Sequence, residues 1–102
     1  METYSFTYPA KDAVLRSAHV GVVGSGDLEV LLEPSGDGQA QVNIRTSVDG
    51  YRQVWKQVLD RFFSRYRGAA AIEINDFGAT PGMVALRLRQ VVEQSEVCGP
   101  AS

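Results

Sequence analysis

Residues 28–33, LEVLLE, set Leu28, Val30 and Leu32 on one side of an extended chain and Glu29, Leu31 and Glu33 on the other. The same alternation returns in AQVNIRT, 40–46, where Val42 and Ile44 share one face and Asn43 and Arg45 the other. The valine-rich stretch VLRSAHVGVV, 14–23, predicts a strand ahead of both. Pro34 cannot donate to a ladder and ends the middle strand. Turn chemistry separates the runs: Gly24-Ser25-Gly26-Asp27, then PSGDGQ, 34–39. Together they predict a three-stranded antiparallel meander with one face in need of cover.

The period then changes. Val54, Trp55, Val58, Leu59, Phe62, Phe63 and Tyr66 recur at i, i+1, i+4, i+5, which is one continuous helical stripe. Ser47 or Asp49 is the candidate N-cap, Gly68 the candidate C′ glycine, and Arg65 and Arg67 sit where the helix dipole favours cations. AAAIEIN, 69–75, predicts a fourth strand, and Asp76-Phe77-Gly78-Ala79 a turn. Thr80-Pro81 has the form of an N-cap followed by proline at the first helical position. From 83 to 97, Val84, Leu88, Val91 and Val92 fit one helix face, while ALRLRQV also alternates as a strand would. The helix is the preferred reading. The expected fold is α+β: a mainly antiparallel sheet in the order β-β-β-α-β-α, with helices packed on one face. A chain of 102 residues fits one domain, 1–102, with flexible ends at 1–10 and 97–102.

Charge adds one feature. The chain is net −2, which argues against general nucleic-acid binding. Yet Arg52, Lys56, Arg61, Arg65 and Arg67 face only Asp60 within 51–67, so one helix is basic on an acidic protein. A solvated helix face and a docking surface for an acidic partner are both open readings. No apolar run is long enough to span a membrane, and the N-terminus lacks the pattern of a signal peptide. The single cysteine, Cys98, cannot form an internal disulfide, so a cytoplasmic setting is expected.

Catalytic chemistry is thin. His19 lies within a predicted strand, where a lone histidine is ordinarily packed or exposed. It stands six residues from Ser25, too far along a strand and its turn for a Ser-His pair unless the strand folds back. Ser25 is followed by a strand, so neither a hydrolase elbow nor a phosphate loop is completed. Glu73 and Asp76 lack metal-ligand spacing. What remains is a hydroxyl between two glycines on a hairpin tip. An ordinary turn explains it. So does covalent attachment, since Gly24 and Gly26 remove Cβ atoms that would obstruct a modifying enzyme. Asp27 can stabilise the turn, orient the serine or help recruit a metal-bound donor.

Three stretches bring a family into view: GVVGSGDLEVLLEP, 21–34; TSVDGYRQVW, 46–55; and INDFGATPGMVALRLRQ, 74–90. In these the chain resembles the acyl carrier (delta) subunit of biotin-independent malonate decarboxylase, and more distantly the carrier subunit of citrate lyase. The resemblance implies a non-catalytic carrier. Its prosthetic group would be 2′-(5″-phosphoribosyl)-3′-dephospho-coenzyme A, joined through a phosphodiester to Ser25, with Gly24, Gly26 and Asp27 giving access and turn shape. It implies partners too: the acyltransferase (alpha) and decarboxylase (beta and gamma) subunits, a phosphoribosyl-dephospho-coenzyme A transferase and a malonyltransferase. The family logic is that a malonyl thioester loses CO2 to an enolate that a partner's oxyanion hole can stabilise. The sequence departs from ordinary acyl carrier proteins, helical bundles in which Asp-Ser-Leu heads a helix; here Gly24 precedes the serine. Two other readings compete: a small non-covalent anion-binding or regulatory domain whose glycine turn grips an anion, and a purely structural subunit.

Overall fold

The computed structural model describes residues 2–21, 26–36, 38–95 and 97–98. Its elements are β1 (Glu2–Pro9), β2 (Asp12–Val14), β3 (Ala18–Gly21), β4 (Leu28–Pro34), β5 (Gln39–Thr46), α1 (Arg52–Phe63), β6 (Gly68–Asp76), α2 (Pro81–Ser95) and β7 (Val97–Cys98). Five strands form the body of the sheet in the order β1-β5-β6-β4-β3. Every neighbour in that order is antiparallel except β5 and β6, which run parallel and are linked through α1. Both helices cover one face. This is the expected α+β architecture, a mostly antiparallel sheet with helices on one side.

The core lies between sheet and helices. Leu28, Val30 and Leu32 of β4, Val42 and Ile44 of β5, and Ile72 and Ile74 of β6 point inward. Trp55, Leu59 and Phe63 of α1 and Val84, Leu88 and Val91 of α2 meet them. Burying each such aliphatic side chain contributes about 1.5–3 kcal/mol. The opposite sheet face is polar: Ser5 donates to Asn43 (2.8 Å), Asn75 donates to Glu29 (3.0 Å), and His19 bonds Glu29 (2.9 Å).

The meander is not what forms. β3 and β4 pair as expected, but β6 inserts between β4 and β5. Its inward residues, Ala70, Ile72 and Ile74, are almost wholly buried, as suits a central strand. The N-terminal segment is not a flexible end: residues 2–9 pair along their full length with β5. Tyr4, Phe6 and Tyr8 pack against the core, alternating with exposed Thr3, Ser5 and Thr7. The predicted strand 14–23 is two shorter pieces, with Val22 and Val23 outside the described residues. Between the pieces Leu15 is exposed, and the Arg16 N–H donates to the Ser95 carbonyl at the end of α2 (3.1 Å). The C-terminal stretch also adds a strand, since Val97 and Cys98 pair with β2 beyond the point where Pro34 ends β4.

Helix boundaries moved as well. α1 starts at Arg52 with Tyr51 as N-cap and no side-chain cap, so neither Ser47 nor Asp49 serves. Its C-cap is Ser64, whose hydroxyl donates to the Arg61 carbonyl (2.6 Å), and Gly68 opens β6. The cation in the last turn is therefore Arg61, not Arg65 or Arg67. The expected helix over 83–97 is borne out to Ser95, in a helix that runs from Pro81, while Val97 belongs to β7. Thr80 caps it, its hydroxyl accepting from the Met83 N–H (3.2 Å) and its carbonyl from the Val84 N–H (3.0 Å). Leu86, Arg89 and Glu93 take the solvent side, which explains the rival alternation.

Candidate functional site

Strand register sets the site at one pole of the molecule. Leu28, the first residue of β4, pairs with Asp76, the last of β6; Asp76 pairs with Thr46, the last of β5; and Thr46 pairs with Glu2. The two helices begin just after Thr46 and Asp76. Hence Gly26 and Asp27 ahead of β4, both helix N-termini and the 76–80 turn gather at one end.

Of the predicted site residues, Gly26 and Asp27 are described; Gly24 and Ser25 lie outside the described residues. Gly26 has φ +76°, a left-handed conformation that favours glycine, and a Cβ built there meets nothing within 4 Å. The residue bonded to Ser25 therefore stands at open surface. It is also held firmly. The Gly26 N–H donates to the Phe77 carbonyl (2.7 Å), and the Phe77 N–H donates to the Asp27 carbonyl (2.9 Å). The β4–β6 ladder thus continues past the strand end into the turn.

Asp27 makes the second attachment. Arg87 of α2 donates to both carboxylate oxygens, Nη2 to Oδ2 at 2.9 Å and Nε to Oδ1 at 3.3 Å, while the Leu28 N–H donates to Oδ1 (2.7 Å). Gln90 accepts from the remaining Arg87 nitrogen (3.0 Å) and fixes the guanidinium. These contacts shape the turn and occupy both oxygens. The Arg87 hydrogen bonds, and then the Leu28 N–H, hold the Asp27 carboxyl below the ordinary aspartate range. A depressed folded-state pKa means the clamp is intact above the unfolded carboxylate value and is lost as pH falls through the folded one. Amide protection at Gly26 and Phe77, followed by hydrogen exchange, should accordingly fall on acidification below about pH 4. In Arg87→Ala it should already be severalfold lower at neutral pH, with the core amides of β5 unchanged.

Beneath the turn lies a buried polar pair. Thr46 is wholly buried, and its hydroxyl donates to Asp76 Oδ2 (2.8 Å) and accepts from the Val48 N–H (3.1 Å). Asp76 Oδ1 accepts from the Ala79 N–H (2.9 Å), and the Asp76 carbonyl from the Ser47 N–H (3.1 Å). One carboxylate therefore ties the loop before α1 to the turn before α2. Thr46→Val strips Asp76 and the Val48 N–H of their partner and should cost about 1–3 kcal/mol. The expected observation is a lower urea midpoint with an unchanged slope.

Sequence reasoning missed Arg87, Thr46 and Asp76 as site supports. Thr46, Asp76 and Arg87 all stand inside the two motif stretches 46–55 and 74–90, and Asp76 was also read as a turn residue. Arg87 is one arginine among ten basic residues, and its partner lies sixty positions away. His19 sits on the open sheet face, 53 % exposed and bonded to Glu29. Among the described residues no group of three His, Cys, Asp or Glu side chains could hold a metal ion, and no helix is long and apolar enough to cross a membrane.

Comparison with known proteins now bears on this pole. Residues 15–95 match the family described as "ACP: Malonate decarboxylase delta subunit (MdcD)". The chain is 47% identical over 95 residues to the malonate decarboxylase acyl carrier protein of Azotobacter vinelandii, covering 92% of this chain and 96% of that one. It is 50% identical to the protein of the same name from Stutzerimonas stutzeri, with the same coverage. Among solved structures, one chain of a Pseudomonas malonate decarboxylase hetero-tetramer crystallised with malonate superposes with a TM-score of 0.90 at 47% identity. That match covers 94% of this chain and all of the other. With family, sequence and fold in agreement over nearly its whole length, the chain belongs to the malonate decarboxylase delta-subunit family, the non-catalytic acyl carriers of that enzyme.

Proposed function

We propose that Ser25 is the attachment point of 2′-(5″-phosphoribosyl)-3′-dephospho-coenzyme A, and that the chain presents this group in turn to the other subunits of a malonate decarboxylase. The observation that carries the reading is the state of Ser25's neighbour. Gly26 has open space where a side chain would stand, yet its N–H is pinned to β6 and the next residue is clamped to α2. An attachment point needs both properties: room for a transferase, and a base that does not give way under a long arm. Bound there, the group supplies a thiol that holds acetyl or malonyl as a thioester. The chain's own residues hold the base of the arm in place, and the tether raises the local substrate concentration at each partner site.

The same reading assigns the partners. An acyltransferase (alpha) subunit exchanges acetyl for malonyl, and decarboxylase (beta and gamma) subunits release CO2. A dedicated phosphoribosyl-dephospho-coenzyme A transferase recognises the shape of the turn, and a malonyltransferase primes the carrier. The lone cysteine and the absence of a membrane-spanning helix among the described residues support a cytoplasmic setting. The test is the intact mass of the chain isolated within an active decarboxylase from its native host, with the modified peptide sequenced. A single adduct on the peptide containing Ser25 is the expected result. Unmodified chain in a fully active complex, as a non-covalent anion site would give, overturns the proposal.

A further inference from the structure

Between α1 and α2 runs an open groove of about 890 Å³ that reaches Pro81 and Gly82 at the start of α2. Val58 and Phe62 of α1 and Val92 of α2 form an apolar floor, and Arg61, Arg65 and Arg89 stand over it. All three arginines are exposed. The other cations of α1 are engaged within the molecule: Lys56 pairs with Asp60 (2.7 Å), and Arg52 lies over the Phe6 ring at 5.4 Å. Asp60 is the single acid of residues 51–67, and it is turned away from the groove to accept from Tyr8 (2.7 Å) as well as Lys56. Arg61, Arg65 and Arg89 thus have no acidic partner among the described residues. Among the described residues, no carboxylate pairs with the positive charge over this floor.

We infer that this groove is the docking surface for an acidic segment of a partner subunit, which seats an apolar side chain on Phe62 and places its carboxylates against Arg61, Arg65 and Arg89. Charge complementarity selects such an occupant: an apolar floor alone accepts any hydrophobe, whereas three guanidinium groups around it require anions. A nucleic acid fits poorly, because the chain as a whole is acidic and the opposite sheet face carries Glu29, Glu33 and Glu73. The placement also suits the carrier reading, on which the inference rests. A subunit held in this groove lies beside the helices and reaches the start of α2, near the pole that bears the turn.

The test measures binding of unmodified chain to the purified partner subunits, at low and at moderate salt. Wild-type affinity should fall with salt, as expected for screened surface charges. R61E/R65E/R89E should bind at least roughly tenfold more weakly at low salt. Arg45→Glu, on the open sheet face, should bind within roughly twofold of wild type. Single Arg65→Glu serves as a second variant whose fold is least at risk, and it should lose part of the same affinity. Undiminished binding by the triple variant overturns the inference. So does an equal loss in Arg45→Glu, which would indicate bulk charge. If the triple variant binds partners normally but its modified form shows altered exposure of the attached group, the groove belongs to the arm and the inference is again overturned. Because the binding assay uses unmodified chain, a missing adduct on Ser25 would count against the carrier reading without touching this result.

Discussion

Ser25→Ala is expected to fold with a melting curve like that of the wild type, to carry no adduct by intact mass, and to abolish malonate decarboxylation in an otherwise complete complex. The magnitude is all or none, because neither the residues bonded to Ser25 nor those anchored beside it offer an alcohol. Gly24 and Gly26 flank Ser25, and the residues anchored to the framework nearby, Gly26, Asp27 and Phe77, carry no alcohol. Three measurements separate attachment from a structural role. Free malonyl-coenzyme A processed by partner subunits should be unaffected. Assembly of the variant chain with its partners should be preserved. Ser25→Thr, which keeps an oxygen but adds a methyl group, should be loaded more slowly and not at wild-type rate. Residual decarboxylation by a complex containing Ser25→Ala, with an adduct found elsewhere on the chain, would displace Ser25 from its role.

The second large effect is on stability. Trp55 is 6 % exposed, on the first full turn of α1, and belongs to the core formed by both helices and the sheet. It also lines the apolar cleft between the helix N-termini, next to Val84 and the 76–80 turn. Trp55→Ala removes a large ring from the core packed between both helices and the sheet. A loss of about 3–5 kcal/mol is expected. For a domain of this size that is a large share of a total of about 5–15 kcal/mol. The melting temperature should fall by well over 10 °C, at about 4–8 °C per kcal/mol. A wild-type melting curve would mean that α1 does not bury its stripe as described. Trp55→Phe, which keeps part of the ring area, should recover much of the loss.

Local pattern carried most of the fold. The period-two runs of β4 and β5 bury the faces that their spacing marks out, and α1 buries the Trp55, Leu59 and Phe63 file of its stripe, leaving Val58 and Phe62 half-buried. Thr80-Pro81 starts α2 where capping chemistry places it. What failed was pairing. Nothing in the sequences of β4 and β5 says that β6 comes between them; that follows from the crossover through α1, a non-local event. The alternation of Tyr4, Phe6 and Tyr8 was legible and went unread because it lies at a chain end. α1 begins at Arg52, later than Ser47 and Asp49 suggested, because the Thr46 hydroxyl and the Asp76 carbonyl already satisfy the Val48 and Ser47 amides. The site was legible in part. Gly26 and Asp27 announced a turn, and the motif stretches announced a family. The Arg87 clamp was not visible, since a salt bridge across sixty residues leaves no local trace.

The parallel run of β5 and β6 has a practical consequence for anyone handling the protein. Glu2 lies opposite Thr46, at the pole where the turn is fastened, whereas Cys98 pairs with Ala13 beside the start of β6, at the far end of a body 40 Å long. If Ser25 bears the prosthetic group as proposed, a purification tag or fluorescent fusion joined ahead of Glu2 would crowd the enzyme that attaches it. The same cargo joined after Cys98 would leave from the other end and spare it.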